Sequence, residues 1–157
     1  AARLGLPYAF ASHFAPGEMM RALQVYRDDF RPSERLAAPY VMLGYNVFAA
    51  ETDDEARHLF TSLQQAFVNL RSGRPGKLPP PVDGYGETLS ASERAMIDQA
   101  LACSAVGAPA TVQARIEEFV ARTGADELMV TSQIWDHDAR RRSLALLAGV
   151  WALPAST

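Results

Sequence analysis

At 157 residues, with 48% apolar and 21% charged side chains, the chain has the length of about one globular domain and can bury a core, which excludes a fibre or a disordered tail. Its net charge of −3, a pI near 5.6 and the lack of any basic block beyond Arg140-Arg141-Arg142 argue against nucleic acid or an anionic membrane as a partner. The single Cys103 excludes an intrachain disulfide framework and fits a reducing, cytoplasmic setting, and neither an 18-residue apolar run nor a basic-then-apolar leader is present, so no membrane span or signal peptide is expected.

Residues 1–7 read as the last turn of a helix, closed by Gly5 in the left-handed region with Pro7 just beyond. A chain that opens this way is expected to be a piece of something longer. Residues 8–12 fit a strand that delivers Ser12, His13 and Phe14 to its carboxyl end. Pro16 sits where the first turn of a helix tolerates proline. Met20, Leu23 and Phe30, with Met19 and Tyr26 beside them, give an apolar helical face as far as Arg31-Pro32. Both methionines read as core filler.

The central stretch, residues 39–57, is an apolar, β-branched and aromatic run that fits a strand and ends in Thr52-Asp53-Asp54-Glu55, a capping box. The helix that follows, from Asp53 to about Leu70, carries Ala56, Leu59, Phe60, Leu63, Phe67 and Leu70 at three- and four-residue spacing. His58 falls outside that stripe and is expected to be exposed. Residues 71–88 hold four prolines and four glycines and read as a long loop, either a lid or a solvated excursion. Ser90 and Glu93 form a second capping signal for a short helix through about Leu101.

Residues 106–111 precede a helix with Val112, Ile116, Phe119 and Val120 inward, ended by Gly124. A lone glycine before a helix is weak evidence for phosphate, because neither G-x-G-x-x-G nor G-x-x-x-x-G-K-[ST] occurs. Residues 127–132 fit a third strand, and Asp136 caps a closing helix from about His137 to Trp151. Asp136, His137 and Asp138 resemble metal ligands on paper. With no H-x-x-x-H pair and the other histidines far away in sequence, an Asp-rich helix N-terminus explains them better.

Three βα units, at residues 6–30, 39–70 and 126–150, predict an α/β chain over a parallel sheet, with chemistry at the carboxyl ends of the strands. No Ser-His-Asp pattern, glycosidase-style carboxylate pair or metal cluster names a reaction. Read alone, the residues stop at a ligand-binding α/β fragment.

Three blocks add a resemblance. They are residues 4–14 (LGLPYAFASHF) followed by residues 27–34, the central strand from Pro39-Tyr40 to residues 49–56, and Val106-Gly107-Ala108-Pro109 with residues 123–130 (TGADELMV). In order and spacing they resemble the C-terminal half of luciferase-like flavin-dependent monooxygenases. The resemblance implies a single domain over residues 1–157, the C-terminal part of a (β/α)8 TIM-type barrel whose last three strands are present. It implies FMN, or in one branch the deazaflavin F420, bound at the strand ends. Reduced flavin from a separate reductase would activate O2 to oxidise a small organic substrate. The flavin-phosphate loop and the first five strands would precede Ala1.

On this resemblance Ser12, His13 and Phe14 line the flavin pocket, His13 as a hydrogen-bond donor and Phe14 as a wall, although His13 also fits a satisfied structural histidine. Asn46 either points into the barrel or is tied to neighbouring backbone. Thr131, Ser132 and Gln133 offer hydroxyl and amide groups, or else cap a turn. The loop at 71–88 matches a mobile insertion after the family's seventh strand. Two alternatives stay open: a non-catalytic truncated fragment that self-associates through exposed strand edges, and an F420-dependent oxidoreductase that transfers hydride without oxygen. A homo-oligomer is expected on the same grounds.

Overall fold

The computed structural model describes residues 1–151 and contains one sheet of four parallel strands, β1 (Tyr8–Phe10), β2 (Val41–Ala49), β3 (Ser104–Gly107) and β4 (Glu127–Thr131). Six helices accompany them: α1 (Met19–Asp28), α2 (Asp53–Arg71), the single turn α3 (Tyr85–Thr88), α4 (Ala91–Ala100), α5 (Pro109–Thr123) and α6 (His137–Val150). The parallel α/β class expected from the sequence is present. β3 is not among the expected strands: Val106 and Gly107, read only as preceding a helix, pair with the end of the central strand.

β2 is the axis of the sheet. Met42 is aligned with both Ala9 and Glu127, and Asn46 with both Ser104 and Thr131. β4 therefore occupies one edge of β2, while β1 and then β3 follow one another along the other edge. Because side chains alternate across a strand, Val41, Leu43, Tyr45, Val47 and Ala49 share one face. That face packs against Met19, Leu23 and Tyr26 of α1, Val112, Ile116 and Phe119 of α5, and the partly buried Leu146 and Leu147 of α6. Met42, Gly44 and Asn46 point the other way.

A second core forms at the carboxyl end of β2. Phe48 and Ala50 are buried there with Ala56, Leu59, Leu63 and Phe67 of α2, Ile97 and Ala100 of α4, and Ile134 and Ala139 beyond β4. The helix read as the crossover after the central strand thus belongs to this second core, and α5 is the helix that covers the sheet before β4. A helix of 19 residues, α2 buries one long stripe as its spacing predicts, except that Leu70 at its end is exposed.

Local signals hold where the partner is a few residues away. Gly5 (φ +59) and Gly124 (φ +60) close helical turns in the left-handed region. Thr52 Oγ1 accepts from the Glu55 amide, Ser90 and Glu93 form the reciprocal capping box, and Asp136 Oδ1 accepts from the Ala139 amide at 2.7 Å. The phase of α1 differs from expectation. Met19, not Met20, joins Leu23 and Tyr26 in the core, and Met20 is exposed, because the face that matters is set by where the sheet lies.

Candidate functional site

The segment after β1, the start of β3 and the end of β4 meet at Asn46, within β2. This residue is completely buried, and its amide nitrogen donates to the backbone carbonyl of His13 (3.0 Å), with Ser104 Oγ also in reach (3.3 Å). Its amide oxygen accepts from Thr131 Oγ1 at 2.7 Å. One side chain on β2 therefore ties the segment after β1, the first residue of β3 and the last residue of β4. Of the two readings of Asn46, the structure gives the tied amide, on the face of the sheet opposite α1, α5 and α6. Burying an amide is tolerable only when its polar atoms are matched in this way.

The segment after β1 turns at residues 12–14, so β1 is shorter than the sequence suggested. Ser12 is fully buried and its hydroxyl donates to the Gly44 carbonyl at 2.6 Å, bracing the strand rather than presenting a free hydroxyl. His13 lies against Gly44: a Cβ built on that glycine would come within about 2 Å of His13 Nδ1. The Nδ1 atom is enclosed and has no hydrogen-bond partner in the protein. Phe14 is 58% exposed, its ring centroid 6.1 Å from that of Phe67 on α2. Ser132 is half-buried with its Oγ enclosed and unpartnered, and Gln133 is exposed.

Of the strand-end and strand residues singled out in the sequence, the structure joins His13 and Thr131 through Asn46, while Ser12 bonds the Gly44 carbonyl two positions along the same strand. The sequence reading missed Gly44 and Ser104. The alternation in Ser104-Ala105-Val106-Gly107 is the signal that marks the latter. Beside the cluster the open face of the sheet is lined by Ala9, Met42 and Met129, the last 53% exposed.

Other candidates resolve into structural roles. The Ala108 amide before α5 is taken by the Asp53 carboxylate at 2.7 Å, which, with the Thr111 hydroxyl, holds the Asp53 carboxyl below its usual range. That helix start already holds an anion from within the chain. Asp136 is a helix cap, His137 Nδ1 lies 2.8 Å from Arg140 Nη2, and no cluster of three or more metal-ligating side chains occurs among the described residues. Burial pushes the Cys103 thiol up, as suits a packed rather than a reactive residue. No helix among the described residues is long and apolar enough to cross a membrane.

The long loop is fastened to α2 along one side. Gln65 donates to the Pro80 carbonyl (2.9 Å), the Val82 amide donates to Thr61 Oγ1 (2.9 Å), and His58 Nδ1 lies 2.7 Å from Asp83 Oδ1, close as an ion pair but not aligned as a hydrogen bond. His58 is accordingly partly covered, not free as its place outside the apolar stripe suggested.

Comparison with known proteins gives this geometry a family. Residues 1–127 match the model of the luciferase-like monooxygenases. A protein of Escherichia coli (strain K12) named luciferase-like monooxygenase is 49% identical over 150 residues, covering 96% of this chain and 45% of that protein. The crystal structure of apo-MsnO8 superposes with a TM-score of 0.77 at 31% identity, covering 98% of this chain and 47% of that one. A type II Baeyer-Villiger monooxygenase component from Pseudomonas putida, solved with FMN, shares the fold with a TM-score of 0.51 at 20% identity, covering 90% of this chain and 40% of that one. The chain belongs to the luciferase-like monooxygenase family. It is a partial TIM-type barrel, spanning less than half the length of the relatives it matches.

Proposed function

We propose that this chain is the C-terminal half of a flavin-dependent monooxygenase and that the Asn46-centred cluster forms one side of its flavin site. The observation that carries this reading is the enclosed, partnerless Ser132 Oγ and the half-buried His13 imidazole at the strand carboxyl ends, beside an exposed aromatic ring, Phe14. Buried polar atoms without partners are costly and mark places where a ligand or water completes the bonding. A half-apolar, half-polar wall of this kind suits a flavin, which has an apolar ring edge and a polar one. The FMN present in the Pseudomonas putida neighbour supports the choice of cofactor.

When bound, reduced FMN supplies the activation of O2, and a small organic substrate is oxidised. The residues of this chain bind and shield. His13 donates a hydrogen bond to the ring, Phe14 walls one side, and Thr131 and Ser132 provide hydroxyls at the polar edge. Asn46 holds His13 and Thr131 at a fixed separation. Met42, Met129 and Ala9 form an apolar floor that excludes water once the remainder of the barrel covers it. A separate reductase in the cytoplasm would deliver the reduced flavin, and residues 71–88, fastened to α2, act as the lid.

Titration of the chain with FMN, followed by quenching of flavin fluorescence, tests the reading. Binding with a dissociation constant on the order of micromolar, weakened by His13→Ala, is the expected result. No quenching by FMN would overturn it, and preference for F420 over FMN would move the chain to the hydride-transferring branch. A second reading, a self-associating fragment, is favoured by the uncovered edge of β4. A groove of about 590 Å³ there is lined by Val120, Leu128, Val130, Leu147 and Trp151. Exposed apolar surface at an unpaired strand edge promotes association. Light scattering would show dimers or larger species, whereas a monodisperse monomer would exclude this second reading.

A further inference from the structure

We propose that Gly44 and Asn46 are positioning residues that hold His13 as a neutral imidazole with its proton on Nε2, so that it offers a single N–H donor to a hydrogen-bond-accepting atom of the bound ligand. The inference rests on the flavin-site reading for the identity of that ligand, but not for the state of the imidazole itself.

Three observations carry it. First, His13 Nδ1 is enclosed and has no partner in the protein. An enclosed N–H without an acceptor is among the rarest arrangements in folded proteins, whereas a bare acceptor is tolerated more often. The proton of a neutral imidazole therefore belongs on the other nitrogen, Nε2. Second, the enclosure depends on a missing side chain. Any Cβ at position 44 would fall about 2.0 Å from Nδ1 and 2.8 Å from Cε1, so the ring rests on bare strand backbone. The backbone at Gly44 lies outside the left-handed region, so conformational freedom does not explain a glycine there. Third, the backbone that carries His13 is pinned. Its carbonyl accepts from Asn46 Nδ2 at 3.0 Å, and the Asn46 amide is oriented by the Thr131 hydroxyl at 2.7 Å. A primary amide whose oxygen already accepts a hydroxyl proton must turn its NH2 toward His13, which fixes the direction of the pin.

The arrangement has a chemical meaning. With Nδ1 closed off, the imidazole has one nitrogen left for a ligand. Offered as a donor, that nitrogen selects an acceptor, such as a carbonyl oxygen or an aromatic ring nitrogen, and rejects an N–H group in the same place. Discrimination of this kind is strong where a buried polar group would otherwise be left unpaired.

Nitrogen-15 NMR of the histidine-labelled, ligand-free chain tests the tautomer directly. His13 is expected to show a bare, acceptor-type Nδ1 and a protonated Nε2 at neutral pH. A protonated Nδ1, or averaging between the two forms, would overturn the proposal. Gly44→Ala is expected to displace the ring and abolish that signature while leaving the amide spectrum of the sheet in place, and an unchanged His13 spectrum would also overturn it. Asn46→Asp, which turns the donor facing the His13 carbonyl into an acceptor, is expected to scramble the signature. Should that variant fail to fold, Thr131→Val removes only the orienting hydroxyl and should produce the same averaging; a sharp single tautomer in Thr131→Val would refute the part assigned to Asn46. In the FMN titration Gly44→Ala is expected to weaken binding about tenfold, the scale of one hydrogen bond. A chain that shows the tautomer but binds no FMN would refute the flavin reading and leave the positioning of His13 standing.

Discussion

The two faces of β2 have been put to opposite uses. On one, Val41, Leu43 and Val47 are fully buried and Tyr45 nearly so, pressed between α1, α5 and α6. On the other, Met42, Gly44 and Asn46 alternate with them, flanked by Ala9 and the exposed Met129. The first face is large and apolar and is filled by side chains of this chain. The second is small or polar from Met42 to Asn46, until Phe48 joins the core built by α2 and α4. The difference teaches how one strand divides its work: the covered face holds the sheet together by apolar packing, while on the other Asn46 ties neighbouring segments by hydrogen bonds.

Substitutions on the two faces should therefore diverge. Leu43→Ala, at the centre of the covered face, is expected to cost about 2–5 kcal/mol in urea unfolding. Met129→Ala on the open face should change stability by less than about 0.5 kcal/mol and reduce self-association in light scattering. Equal losses at the two positions would show that both faces are cores. Asn46→Leu is a harder test, since it keeps the volume but strands the His13 carbonyl and the Thr131 hydroxyl. A loss of about 1–3 kcal/mol is expected, the cost of buried groups left without partners. A stabilised variant would mean that Asn46 is not held by the bonds described.

The effect graded by pH concerns Tyr45. Burial against α5 pushes its hydroxyl up to about 12. The unfolded phenol ionises near its ordinary value of about 10, so raising the pH favours the unfolded chain first. This contribution is present below pH 10 and is lost as the pH rises from there toward about 12. Absorbance of the phenolate should show one tyrosine titrating late, and Tyr45→Phe should flatten the alkaline limb of the stability profile. An unchanged limb would place the buried phenol elsewhere.

Legibility in the sequence followed the distance between partners. The caps at Thr52, Ser90 and Asp136 and the glycine stops at Gly5 and Gly124 were readable because each partner lies within a few residues. The choice of Met19 over Met20, the exposure of Leu70 and the strand at Ser104–Gly107 were not. Each depends on where a distant surface lies, and periodicity alone leaves that phase free. His13 could be suspected from its strand-end placement and Asn46 as a polar residue within the central strand, but the bond between them spans 33 positions of sequence.

The sequence by itself determined the class of fold, the family and most helix boundaries, because apolar spacing, capping and family-typical blocks are written locally in the chain. Tertiary structure alone decided that α2 and α4 build a second core, that β1 and β3 share one edge of β2, and that one amide within β2 ties the segment after β1 to β3 and β4. Those outcomes depend on the register of parallel strands, and parallel register is set by long crossovers and by which faces find something to bury, neither of which a local pattern contains.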